Sequence, residues 1–178
     1  MLLCYDGEDD ILKEDFMKKN NEFNNIIKDI INSQEFDRLK DISHHGISRY
    51  NHSMRVAYYT YLITKLLHLN YVKATRGALL HDFFTDEVKE FNSVFKLRRH
   101  PNCAVENAKK YFNISDIEED IIKTHMFPIT FTPPKYLESW VVDIIDDISA
   151  VYEKSFSLKT QVAAPLSLFI ICLFNYIR

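Results

Sequence analysis

The chain carries the stretch RGALLHDFF at residues 76–84, and the prediction of its fold starts there. An apolar run from Gly77 to Leu80 leads directly into the polar pair His81 and Asp82. A carboxylate that ends an apolar run is expected to be partly buried, and a buried carboxylate is costly unless it is paired or binds a metal ion. The pair is therefore a candidate metal site at the end of a helix. The alternative is a surface histidine beside a capping aspartate.

Composition sets the class of fold around this stretch. The chain has 178 residues, of which 47% are hydrophobic and 26% charged, as in one globular domain. Only three glycines and five prolines are present, which argues against the frequent tight turns of a β-sandwich or barrel. The net charge of −3 provides no broad basic surface for nucleic acid. We expect a single, mostly helical domain that does not bind nucleic acid.

Apolar periodicity predicts helices on both sides of the quoted stretch. The predicted helical segments are 23–31, 34–42, 51–68, 71–84, 101–112, 115–126 and 136–154. Pro101 is placed in the first turn of its helix, where its missing N–H is not needed, and Ser115 with Glu118 forms a capping box. No segment predicts a convincing strand. The sequence therefore predicts an all-α bundle of about seven or eight helices over residues 21–160, after a loose lead-in at residues 1–20.

The C-terminal segment, residues 161–178, contains the apolar run VAAPLSLFIICLF at residues 162–174. This run has 13 residues, too few for a transmembrane helix, which needs about 20. It predicts an apolar helix packed on the domain. A membrane-surface contact or a homodimer contact is the alternative.

Cysteine usage and the N-terminus predict a cytoplasmic protein. Cys4, Cys103 and Cys172 are odd in number, far apart and form no C-x-x-C pair. This pattern is typical of free thiols in a reducing compartment. The N-terminal residues MLLCYDGEDD lack the basic region of a secretory signal.

Further histidines and acids of the metal-ligating type are spread along the chain. His52 begins a long predicted helix, His100 precedes Pro101, His125 ends a helix, and Asp146 lies in VVDIIDDISA. Each has a plain alternative: a buried core histidine, a surface histidine, or, for Asp146, one solvated acidic stripe. Together with His81 and Asp82 they form a set of imidazoles and carboxylates on several helices. Helix bundles build metal sites in this way, from side chains on facing helices.

The order of these residues resembles the HD-domain metal-dependent phosphohydrolase superfamily. The resemblance rests on His52, on His81-Asp82 within ALLHD, and on Asp146 within IDDISA. The flanking segments HHGISRYNHS, RGALLHDFF and HMFPIT are similar to those of small bacterial members. The similarity covers residues 42–153.

The resemblance implies a ligand set for one or two divalent ions. The first ion would be held by His52, His81, Asp82 and Asp146, and the second by His100 and His125 with Asp82 as the bridge. Nitrogen and oxygen ligands without thiolate suit Mn, Fe, Co, Ni, Zn or Mg. Two positions depart from the family pattern: Met126 follows His125, where some two-metal members have a second histidine, and Asp147 stands where many have lysine. The number of ions and the choice between Asp146 and Asp147 therefore stay open.

The function implied is hydrolysis of a nucleotide or another small phosphate ester by a metal-activated water, with Asp82 and His81 as catalytic residues. Substrate phosphates need cations, and arginine binds phosphate through two parallel hydrogen bonds. Arg49 and Arg76 lie closest in sequence to the ligand segments, and His45 is a further candidate substrate contact. The alternative function is a non-catalytic sensor or interaction module that keeps the fold and binds a metal ion or nucleotide.

Overall fold

A computed structural model describes residues 21–44, 47–84 and 93–155. The predicted lead-in at residues 1–20 and the predicted apolar helix within residues 161–178 lie outside the described residues. The helices are α1 Asn21–Ile31, α2 Gln34–Asp37, the 3-10 helix η1 Arg38–Asp41, α3 Arg49–Leu66, α4 Tyr71–Leu80, α5 Ser93–Tyr111, α6 Asp116–Thr124, and α7, which is described over residues 137–155. The all-α fold predicted from the sequence is confirmed.

The extended structure in the described ranges is one short antiparallel pair, β1 Ser43–His44 with β2 Ile47–Ser48. It leads straight into α3. The hydroxyl of Ser48 accepts a hydrogen bond from the backbone N–H of Asn51 at 3.2 Å and so caps that helix. The cap fixes the start of α3, which places His52 in the first turn of the helix.

Most predicted helices are present with ends shifted by a few residues, but α5 differs more. It begins at Ser93, so Pro101 lies inside the helix and not in its first turn. The prediction that this helix starts at residue 101 is therefore wrong. An internal proline removes one backbone hydrogen bond, and the helix continues on both sides of it. The capping contact at α6 does form, because the Ser115 N–H donates to the Glu118 carboxylate at 2.6 Å.

The core joins α1, α3, α4, α5, α6 and α7. Fully buried residues include Phe23, Val56, Leu79, Ile121 and Val142. At Gly77, α4 and α6 approach each other closely, because a Cβ atom there would lie only 2.8 Å from Cδ1 of Ile121. His81 and His125 each lie four residues, or one helical turn, beyond this contact point. The close approach of the two backbones therefore brings the ends of α4 and α6 together.

No helix among residues 21–44, 47–84 and 93–155 combines the length and the apolar character needed to cross a membrane.

Candidate metal centre

Six of the sequence-predicted ligands meet at one place in the bundle. His52 lies in the first turn of α3, His81 caps the C-terminus of α4, Asp82 follows in the turn, His100 lies in α5 and His125 caps α6. Asp146 lies in α7. All six side chains are buried, with between 0% and 9% of the residue surface exposed. A buried cluster of histidines and carboxylates is thus assembled from five helices.

Two groups of three ligands share Asp82. His52, His81 and Asp82 each offer one ligand atom, and these atoms lie within 4.8 Å of one another. Asp82, His100 and His125 form a second group by the same measure. Asp82 therefore stands between two sites, each of which has enough donor atoms to hold a metal ion.

Asp146 completes the first group. Its Oδ1 lies 2.8 Å from Nε2 of His52 and 3.5 Å from Nε2 of His81. Asp147 is the next residue in α7 and is exposed. Of the two acids that the sequence left as alternatives, the structure brings Asp146 to the cluster.

In the second group, Nε2 atoms converge on Oδ1 of Asp82. Nε2 of His100 lies 3.4 Å from this oxygen and Nε2 of His125 lies 3.7 Å from it. The two Nε2 atoms are 2.9 Å apart. The imidazole edges that face the cluster are therefore the edges that would bind a metal ion.

The outer nitrogens of two histidines fix which nitrogen carries the proton. Nδ1 of His81 lies 2.6 Å from the carbonyl oxygen of Ala78, and Nδ1 of His125 lies 2.8 Å from that of Ile122. A carbonyl oxygen only accepts, so each Nδ1 donates and a neutral ring presents its Nε2 lone pair to the cluster. Backbone carbonyls commonly orient metal-binding histidines in this way.

The comparison with known families agrees with this geometry. The family model of the HD domain matches residues 49–151, which is more than half of the chain and includes all six clustered residues. The chain belongs to the HD domain family. No curated protein and no solved structure gives a significant match. This match confirms the resemblance to the HD-domain metal-dependent phosphohydrolase superfamily that the sequence motifs indicated.

The residues of this HD domain fit a metal centre. Nε2 of His81 is buried and makes no close hydrogen bond among the described residues; its contact with Oδ1 of Asp146 is 3.5 Å long. A buried nitrogen with only this long contact is poorly satisfied, and binding to a divalent ion would satisfy it. The donor set is imidazole nitrogen and carboxylate oxygen without thiolate, which suits divalent ions of the Mn to Zn series. His52, His81, Asp82 and Asp146 would hold one ion, and Asp82, His100 and His125 a second.

The charges of the cluster follow from burial and close pairing. Burial opposes the charged form of His52, but hydrogen bonds with Asp146 and Glu153 outweigh it and raise the pKa of His52 to about 10. Burial alone would raise the pKa of Asp146. The nearby His81 and His52 outweigh burial and hold the pKa of this carboxyl well below its usual range. Burial and the neighbouring His81 and His100 lower the pKa of His125 to about 3, so His125 is neutral at pH 7. His125 is thus already in the protonation state that binds metal.

Of the predicted substrate contacts, Arg49 lies beside the cluster. Its Nε is 3.9 Å from Oδ2 of Asp82, and its guanidinium lies over the ring of Phe84 with Cζ at 3.8 Å from the centroid. The ring of Phe84 also stacks on His100, with centroids 5.1 Å apart. A cation is therefore held at the edge of the shared carboxylate.

Arg76 is placed elsewhere. Its guanidinium donates to the carboxylates of Asp29 at 2.5 and 2.9 Å and of Glu118 at 2.9 Å, and so ties α4 to α1 and α6. The structure does not bring Arg76 to the metal cluster, because two acids from distant parts of the chain already pair with it. His45 lies outside the described residues.

Glu153 was not identified from the sequence. It is 3% exposed and accepts from Nδ1 of His52 at 3.0 Å and from Nη1 of Arg55 at 2.6 Å. A carboxylate behind a metal-binding histidine fixes the ring and makes it a stronger ligand. The available signal was its spacing: Glu153 lies seven residues after Asp146, on the same face of α7.

Proposed function

We propose that this HD domain is a metal-dependent phosphohydrolase that cleaves a small phosphate ester, with nucleotides as the first substrate class. The observation that carries the proposal is the position of Asp82 between two three-ligand groups, each with its donor atoms within 4.8 Å. Two ions that share a carboxylate form the arrangement that many phosphatases use to hold a phosphoryl group. Membership of the superfamily supports the same reaction class.

The reaction is the attack of water on phosphorus, which breaks the P–O bond to the leaving alcohol. A bound divalent ion would supply the lowered pKa of water and the polarised phosphoryl oxygen that this chemistry needs. Asp82 and His81 are the proposed catalytic residues. They are adjacent at the end of α4, and both would be ligands of the metal centre. Because His52, His81 and His125 are at most 2% exposed, these three ligands are shielded from bulk solvent, and electrostatic interactions between them are stronger than in water.

Arg49 is the proposed phosphate contact. Its guanidinium is held by the carbonyl oxygen of Phe84, to which Nη1 donates at 2.5 Å, and by the Phe84 ring. A fixed planar cation next to Asp82 is suited to a phosphate that binds at the centre. Arg76 pairs with Asp29 and Glu118, so we do not propose it as a phosphate contact. His45 stays a predicted contact. The separated cysteines support the cytoplasm as the place of action.

The test is hydrolysis by the 178-residue chain with added Mn²⁺. The panel contains nucleoside monophosphates, deoxynucleotides, cyclic dinucleotides and guanosine tetraphosphate, and products are identified by mass spectrometry. We expect at least one ester to be cleaved and Asp82→Asn to abolish cleavage. Asp147→Asn, a change to an exposed acid on α7, serves as the matched control and should retain activity.

Two outcomes would contradict the proposal. One is a protein that binds Mn²⁺ and cleaves no ester in the panel, which would favour the sensor function instead. The other is cleavage that Asp82→Asn leaves unchanged, which would place the activity outside this centre.

A further inference from the structure

The outer face of α7 carries a row of exposed apolar side chains. Leu137, Ile144, Ile148 and Val151 are 66%, 54%, 64% and 65% exposed, and Trp140 is 36% exposed. Their spacing of three to four residues places all five on one side of the helix. We call these five residues the outer face of α7.

The opposite side of α7 is already occupied. Val142 and Ile145 are buried in the core, and Asp146 and Glu153 face His52. A surface helix normally has one apolar face and one polar face, whereas a helix that is apolar all round is a buried helix. α7 also carries acids such as Asp147, but it has apolar side chains on its outer side as well as its inner side, so the outer face is suited to pack against a further segment.

The sequence after α7 has the right composition and length to cover it. Residues 162–174 are 13 residues without a charged side chain. As a helix they would extend about 20 Å, and the outer face, from residue 137 to residue 151, extends about 21 Å. The six residues 156–161 separate this run from the last described residue of α7. Connections of two to eight residues are usual between packed helices.

We propose that residues 162–174 form a helix that folds back antiparallel onto the outer face of α7, as the second arm of a helical hairpin. The occupant is the protein's own chain and not a second copy, because a short connection gives the segment an effective concentration on the order of millimolar. In this arrangement the C-terminal segment covers the outer face of α7. The packing does not depend on a bound metal ion.

A second exposed apolar row provides the matched control surface. Tyr59, Leu62 and Leu66 on α3 are 46%, 41% and 77% exposed. This row also consists of exposed apolar and aromatic side chains, but it belongs to a helix distant in sequence from the C-terminal segment. The proposal therefore predicts that the segment contacts α7 and leaves Leu66 accessible.

The native Cys172 allows a direct test by disulfide trapping in the full chain. In a background of Cys4→Ser and Cys103→Ser, an antiparallel hairpin places residue 172 near residue 144. We expect oxidation to link Cys172 to the thiol introduced by Ile144→Cys within one chain, and not to the thiol introduced by Leu66→Cys. Peptide mass spectrometry and non-reducing electrophoresis read out the linkage.

A second measurement uses Trp140, the one tryptophan of the sequence. Ile148→Asp should displace the segment and shift Trp140 emission to longer wavelength, whereas Leu66→Asp should leave the emission unchanged. Linkage of Cys172 to the thiol of Leu66→Cys would overturn the proposal, as would linkage between two chains. Absence of any linkage, together with wild-type emission in Ile148→Asp, would also overturn it.

Discussion

At the scale of single residues, the contrast between Asp146 and Asp147 shows what decides a ligand. The sequence could not choose between them, because apolar residues lie on both sides of the acids in VVDIIDDISA. Helical phase makes the choice in the structure: Asp146 reaches His52, and Asp147 is exposed. The ambiguity arose because α7 is apolar on its outer face as well as its inner face.

This pair of neighbours yields a prediction for metal affinity. Asp146→Asn should weaken Mn²⁺ binding by at least roughly 10-fold, because it removes a carboxylate charge from the first group of ligands. Asp147→Asn should leave the affinity within about twofold of wild type. Isothermal titration calorimetry measures both, and equal affinities in the two variants would contradict the assignment of Asp146.

Glu153 is predicted to position His52. Glu153→Gln and Glu153→Ala should weaken Mn²⁺ binding roughly 10- to 100-fold, the range for second-layer partners of metal ligands. Glu118 is the matched control, since it is also a buried glutamate paired with an arginine, Arg76, but lies at the cap of α6. Glu118→Gln should lower thermal stability and keep the metal affinity. The assignment fails if the Glu153 variants lose stability but bind Mn²⁺ as tightly as wild type.

At the scale of helices, Gly77 and Ile121 control the distance between α4 and α6. The rings of His81 and His125, one turn further on, have centroids 4.9 Å apart. The sequence alone indicates only that Gly77 lowers the helix propensity of α4, because its partner Ile121 lies 44 residues away. The ion pairs of Arg76 could not be predicted for the same reason, since Asp29 and Glu118 lie 47 and 42 residues away.

Gly77→Ala should therefore push α4 and α6 apart. In an ordinary helix this change stabilises by about 0.5–1 kcal/mol, but here the added methyl group meets Ile121 at 2.8 Å. We expect a lower midpoint of thermal unfolding and weaker binding of the second Mn²⁺ ion. Ile121→Val in the same chain removes the closest atom and should restore part of both. A Gly77→Ala protein that is more stable than wild type would contradict this account.

Helix α7 also carries a buried acid that the metal cluster does not use. Burial raises the pKa of Asp143 to about 7, and the charges of Asp147 and Asp146 act in the same direction. Its Oδ1 has no hydrogen-bond partner. Above pH 4 the unfolded chain releases this proton, whereas the folded protein keeps it up to about pH 7, so the group destabilises the fold as pH rises through this window.

Asp143→Asn should remove this pH dependence. In metal-free protein, the stability of the variant relative to wild type should increase from pH 4 to pH 8, as measured by urea unfolding. A stability difference that is the same at both pH values would show that Asp143 ionises normally in the folded protein.

At the scale of the whole molecule, the centre joins helices that are far apart in sequence. Composition and apolar periodicity made the all-α fold predictable, and the order of ligand types along the chain made the set of six candidates predictable. The contacts of Arg49 with Phe84 and of Glu153 with His52 could not be predicted from the sequence, because they depend on the tertiary packing of the helices. One cluster that ties five helices together should also make folding and metal binding interdependent.

Metal removal should accordingly destabilise the protein. An ion that binds only the folded state stabilises it by about 2.7 kcal/mol at a free concentration about 100 times its Kd. For a chain of this size that corresponds to a rise in Tm of roughly 5–10 °C. Differential scanning calorimetry with Mn²⁺ and with EDTA measures the difference, and identical unfolding curves would show that the helices hold together without the ions.

Asp82 and the surrounding histidines are proposed to form a metal centre for two ions. The most direct test is the number of Mn²⁺ ions bound per chain, measured by elemental analysis after equilibrium dialysis, in wild type beside His81→Ala. We expect two ions per chain in the wild type and loss of at least one in His81→Ala. A wild-type chain that binds no Mn²⁺, or a His81→Ala chain that binds as much as the wild type, would contradict it.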